Sequence, residues 1–144
     1  MADITKITAQ VATGDDTNAG TFGWVYLGIG GREFVLTRPD IDDMEPGSDD
    51  TYILGDGANV EEAQYNDPRT PQLNTDNLSA YPAYIRLEPE GQYPAWQVER
   101  VTVVVNPDGP DSITFDNLDL RGAAKIWLGQ PYGKTLYLQR ETSS

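Results

Sequence analysis

The chain has 144 residues, no cysteine, no histidine and a net charge of −13, from 23 acidic against 10 basic side chains. That excludes a disulfide framework, a thiolate metal site, and any mechanism built on an imidazole base or ligand. It also argues against nucleic acid, whose phosphates need Lys and Arg.

The length is expected to form one domain, 1–144, large enough to bury a core without staples. No stretch approaches a membrane-spanning helix, and the start MADITKI lacks the apolar core of a signal peptide. The expected location is therefore cytoplasmic by default, or secreted if a signal has been removed. The negative charge fits simple solubility or a salty interior. It also fits a membrane partner reached through a bridging divalent cation.

Strand signals recur along the chain and helix signals are nearly absent. Residues 2–11 begin it with partial alternation: Ile4, Lys6, Thr8 and Gln10 on one face, Thr5, Ile7, Ala9 and Val11 on the other. Residues 14–20, GDDTNAG, are small and rich in oxygen, as a tight loop requires. Such a loop suits a hard cation, and suits plain solvation as well. Residues 24–29, WVYLGI, form the second strand; Gly30-Gly31 supplies the turn to a partner over 33–37.

An acidic link, 38–49, leads to a strand over 50–54. Residues 55–82 carry Asp67-Pro68, Thr70-Pro71 and Tyr81-Pro82 steps and read as a long ordered excursion over the surface. Its Tyr65, Leu73 and Leu78 look exposed. Extended structure resumes over 83–87 and over 96–105. In the latter, Trp96, Val98, Arg100, Thr102 and Val104 are expected to face one way and Gln97, Glu99, Val101, Val103 and Val105 the other. After a turn at 106–110, strands over 112–115, 125–128 and 134–139 complete the set, and the tail 141–144 is expected to be loose. Eight or nine short strands close naturally as an antiparallel sandwich. Trp24, Trp96 and Trp127 read as core.

Four segments occur in a telling order: NAGTFGWVYLGI (18–29), DDMEPGSDDTYIL (42–54), PAWQVERVTV (94–103) and KIWLGQPYGKTLYLQRE (125–141). Together they resemble the PLAT domain, the lipoxygenase-homology module of polycystins, lipoxygenases, animal lipases and clostridial alpha-toxin. The resemblance covers about residues 4–140 and leaves 55–82 as an insertion. It implies an all-β fold, an antiparallel β-sandwich of two four-stranded sheets, and a binding module rather than an enzyme.

The same resemblance implies calcium in loops at one end of the sandwich. Its ligands would be Asn18, the carbonyls of Gly20 and Thr21, and Asp43 with Asp42. Phe22 stands where the family usually has Asp, and Ala95 where it often has another, so two carboxylates are missing. Glu88 and Glu90, just upstream, are the candidates to replace them. Phe22, Tyr93 and Pro94 share these loops and are candidate contacts to a membrane or partner.

Three functions follow as expectations. The first is calcium-assisted docking to a membrane lipid surface or a protein partner. The second is a calcium-independent protein contact through the 55–82 insertion, which deleting that segment would remove. The third is a carbohydrate-active protein working through paired carboxylates.

Overall fold

The computed structural model describes residues 2–91, 95–110, 112–117, 119–120 and 125–141. Nine strands appear among them: β1 Lys6–Thr13, β2 Trp24–Ile29, β3 Arg32–Val35, β4 Asp49–Gly55, β5 Ala83–Glu88, β6 Trp96–Val105, β7 Ile113–Asp116, β8 Ile126–Leu128 and β9 Thr135–Arg140. One short helix, α1 Asn77–Ala80, interrupts the 55–82 segment.

All the strand pairings between named strands are antiparallel. They follow the order β3-β2-β5-β9-β7-β6-β1-β4, with β8 added beside β6. Hydrogen bonding between β9 and β7 is the seam at which one four-stranded layer, β3-β2-β5-β9, passes into the other, β7-β6-β1-β4. The result is the expected two-layer antiparallel sandwich, curled so that the layers share a seam.

The core lies between the layers and follows the period-two rule of strands. From β1 it takes Ile7, Ala9 and Val11, from β2 Val25, Leu27 and Ile29, and from β5 Ala83, Ile85 and Leu87. β6 departs from simple alternation. Arg100 pairs with Ala12 but Val98 pairs with Thr13, so Glu99 is an extra residue. This bulge switches the inward set from Trp96 and Val98 to Val101, Val103 and Val105. Uniform alternation along β6 is thereby corrected.

The hairpin between β2 and β3 turns at Gly30 (φ 62°) and Gly31 (φ 85°), both in the left-handed region that a two-residue turn of this kind demands. Of the three tryptophans, only Trp96 is core. It is fully buried, and its indole N–H donates to Thr13 Oγ1 at 2.8 Å. Trp24 is 46% exposed and Trp127 is partly buried, so the core reading fails for both.

The 55–82 excursion is built into the fold more tightly than its composition implies. Leu73 and Leu78 are buried, while Tyr65 is exposed. Ile4 N donates to Leu73 O, Gln72 Nε2 donates to Ile4 O, and Arg32 donates to the carbonyls of Asp67 and Pro71. Farther along, Asn66 Oδ1 accepts from Val35 N and so covers part of the β3 edge. Deleting the segment would strip apolar cover from the core, so deletion cannot isolate a partner contact.

Candidate functional site

Strand directions decide which loops meet. β1 ends, β2 begins, β5 ends and β6 begins at one end of the sandwich, because Trp24 pairs with Glu88 and Thr13 with Val98. β4 begins there too, opposite Ala12, and β8 runs to the same end, with Leu128 opposite Trp96. Loops 14–23, 36–48 and 129–134, with residues 89–91 after β5, therefore cluster at this end. The Gly30-Gly31 turn and the 106–110 turn lie at the other.

The first two loops are locked together. Gly47 N donates to Gly14 O at 2.9 Å, Thr13 N to Ser48 O at 2.8 Å, and Thr21 N to Met44 O at 3.1 Å. Gly20 permits this contact, since a Cβ there would lie 2.6 Å from Met44 O and 2.8 Å from Pro46 Cδ. Met44 itself takes a left-handed φ of 55° and tucks its side chain into the core. The fold thus brings together Asn18, Gly20, Thr21, Phe22 and Asp43 of the sequence-level candidates. These five line a cleft of about 110 Å³.

Asp43 is the organising carboxylate of the second loop. One oxygen accepts from Arg38 N at 3.1 Å and Tyr52 Oη at 2.9 Å, and the other accepts from Thr37 Oγ1. Burial, the nearby Asp43 charge and this hydrogen bond push the Tyr52 phenol far above its ordinary range. Asp42 is exposed beside it. Glu90 accepts from the Trp24 indole N–H at 2.6 Å and so positions that ring. Tyr93 and Pro94 lie outside the described residues.

Calcium takes six to eight oxygens, several of them carboxylate. These residues do not form such a set. Among the described residues no group of three or more acidic, His or Cys side chains could hold a metal. Asp43 already accepts three hydrogen bonds, Thr21 Oγ1 accepts from Gly23 N, and Met44 O accepts from Thr21 N. A buried oxygen left without a donor is Gln97 Oε1, but it is sealed against Gly14, whose Cβ position lies 1.9 Å away. In that first loop Asp15 is paired with Lys125 Nζ at 3.1 Å, which lowers the carboxyl pKa through the hydrogen bond and the ammonium charge.

Beside Phe22, already a candidate contact from the sequence, two exposed aromatics at this end were missed, Trp24 and Tyr132. Phe22 is 68% exposed, Trp24 46% and Tyr132 61%, and Tyr132 lies 6.3 Å from the partly buried Trp127 ring. The signal for Trp24 was present in β2. Val25, Leu27 and Ile29 form a complete apolar phase, which places Trp24, Tyr26 and Gly28 on the outer face. Phe22 and Trp24 also line a second cleft of about 200 Å³, with Thr37, Asp43 and the buried Val25, Leu36 and Met44.

No family model matches the chain, and no curated protein matches it either. Solved structures do. The alpha-toxin of Clostridium absonum superposes with a TM-score of 0.62 at 19% identity, covering 96% of this chain and 32% of the toxin. Clostridium perfringens alpha-toxin from avian strain SWCP gives 0.57 at 20% identity, with 94% and 31% covered. Coral 8R-lipoxygenase, described as having calcium activation via a C2-like domain, gives 0.57 at 19% identity, with 94% and 17% covered. The chain thus spans about a third of the toxins and a sixth of the lipoxygenase. These likenesses establish the fold: a C2-like, PLAT-type β-sandwich.

Proposed function

We propose that this chain is a non-catalytic docking module that attaches to a lipid surface through the end bearing loops 14–23, 36–48 and 129–134. The observation that carries the reading is the exposure of Phe22, Trp24 and Tyr132 at one end of a rigid sandwich. Aromatic side chains are favoured at the membrane–water boundary because they combine apolar area with a polar edge. Phe22 and Trp24 line one cleft, and Tyr132 lies in the 129–134 loop at the same end, so a surface meeting that end reaches aromatics from several segments.

Calcium assistance draws support from the coral lipoxygenase description, whereas the donor set here opposes it. We therefore derive docking without a calcium step. A protein contact through 55–82 has weaker support, since Leu73 and Leu78 are turned inward and Tyr81 packs against Gly31. Nor does any described cleft bring two free carboxylates together for glycoside chemistry. Co-sedimentation with phosphatidylcholine vesicles, in EDTA and then in millimolar calcium, tests the proposal. Binding in EDTA is expected; failure to sediment under either condition would reject lipid docking.

A further inference from the structure

The strand order ends in β3 on one side and β4 on the other, and each has one side with no strand beside it. Such a side is a row of backbone donors and acceptors with which another strand can pair. On β4 the row is taken up by Asn59. Ile53 N donates to Asn59 Oδ1 at 2.8 Å, Asn59 Nδ2 donates to Thr51 O at 3.0 Å, and Asn59 N donates to Ile53 O at 3.2 Å. One residue thus offers β4 the acceptor and donors that a further strand would offer. Ala58 N donates to Gly55 O and Arg38 Nη1 to Thr51 O, so the carbonyls of Thr51, Ile53 and Gly55 are all occupied.

β3 is closed by the same device. Val35 N donates to Asn66 Oδ1 at 2.9 Å, and Glu61 N donates to Thr37 O just beyond the strand. Asn66 is buried, and its Nδ2 donates to Glu62 O at 3.0 Å, which fixes the orientation of the amide. Both asparagines belong to the 55–82 segment, with the buried Val60 between them.

The chemistry of the covered β4 edge matches a second copy of itself. The bond from Ile53 N to Asn59 fixes the parity: Asp49, Thr51, Ile53 and Gly55 turn their backbone groups away from β1. Two β4 strands set antiparallel about Tyr52 would place Thr51 opposite Ile53 and Asp49 opposite Gly55, outward groups against outward groups. Asp49 and Asp50 of one copy would then meet Gly55 and Leu54 of the other, with no like charges directly opposed.

We infer that the edge of β4 is a latent surface for pairing with β4 of a second copy, and that Asn59 of the 55–82 segment holds it closed and the chain monomeric. This concerns the side of the sandwich and does not rest on lipid docking.

The test combines amide hydrogen exchange with sedimentation equilibrium, at an ionic strength that screens the net charge of −13. The parent should be monomeric, with the Ile53 and Val35 amides protected like those of a strand ladder. Asn59→Pro removes the side-chain amide and the N–H together. It should speed Ile53 exchange at least about tenfold in dilute solution. As concentration rises it should form a dimer in which Ile53 becomes protected again. Asn59→Ala keeps the backbone bond and should show the same changes in smaller measure, which carries the test should the proline variant not fold. Gln72→Ala loosens the same segment at Ile4 O, away from both edges, and should stay monomeric. Folded Asn59 variants that remain monomeric, or a dimer that leaves Ile53 unprotected, overturn the inference. So does a dimer formed equally by Gln72→Ala or by the parent.

Discussion

Replacing Asp43 with Ala is expected to lower the melting temperature by about 10 °C. The substitution removes the acceptor for a Thr37 hydroxyl, the Arg38 amide and the Tyr52 phenol, and Tyr52 is fully buried. Each stranded donor costs about 1–3 kcal/mol, and partial access of water to Thr37 and Arg38 keeps the sum near ~3 kcal/mol. For a domain of this size each kcal/mol shifts the midpoint by about 3–5 °C. Asp43→Asn should not rescue it, because an amide offers one acceptor where two oxygens now accept, and turns an N–H₂ towards donors.

The same cluster sets a pH dependence. The Tyr52 phenol has a raised folded-state pKa, so its contribution is fully present below the unfolded value near 10 and is lost as the pH rises beyond it. Stability should fall above pH ~10 with a slope of about 1.4 kcal/mol per pH unit from this group. Tyr52→Phe should begin about 1–2 kcal/mol less stable and lack that component of the alkaline fall. Urea midpoints between pH 8 and 11 measure both. An Asp43→Ala protein with an unchanged melting curve would remove Asp43 as the organiser of the second loop.

The second large effect separates binding from folding. A protein carrying Phe22→Ser, Trp24→Ser and Tyr132→Ser should lose more than a hundredfold in partition to phosphatidylcholine vesicles. Burying an aromatic side chain contributes about 1.5–3 kcal/mol, and three of them at partial depth still exceed ~3 kcal/mol. Their stability cost should be small, because all three are exposed in the free protein at 68%, 46% and 61%. A melting temperature within a few degrees of the parent, together with lost sedimentation, is the expected pair of results. Retained sedimentation would show that another surface meets the lipid.

Much of the fold was legible because strands announce themselves through local chemistry. The Gly30-Gly31 turn, the apolar phase of β2 and the long β-branched run of β6 each carry their own signal. The bulge at Glu99 was not legible, since it depends on how β1 ends against β6 rather than on any residue of β6 alone. Leu73 and Leu78 were misjudged for a related reason. Proline-rich sequence reads as surface, and only the tertiary structure shows Ile4 and Arg32 holding it down.

The candidate site divides in the same way. Convergence of Asn18, Gly20, Thr21, Phe22 and Asp43 on one end follows from their motif order. That Asp43 is occupied by Tyr52, nine residues later on the next strand, requires coordinates. The family resemblance pointed to calcium, whereas the packing commits Asp43 to Thr37, Arg38 and Tyr52 and leaves Phe22 and Trp24 exposed. Trp24 shows the opposite lesson: its outward position was readable from strand parity, and aromatic bulk outweighed that signal in the reading.

Because the chain has no cysteine, one introduced thiol can be labelled uniquely. The most direct measurement is the emission of an environment-sensitive dye at Phe22→Cys and, separately, at Ser79→Cys in α1 at the opposite end, as phosphatidylcholine vesicles are added in EDTA. The account predicts a blue shift at position 22 and none at 79. A shift at 79 with position 22 unchanged would place the lipid on the wrong end of the sandwich and contradict it.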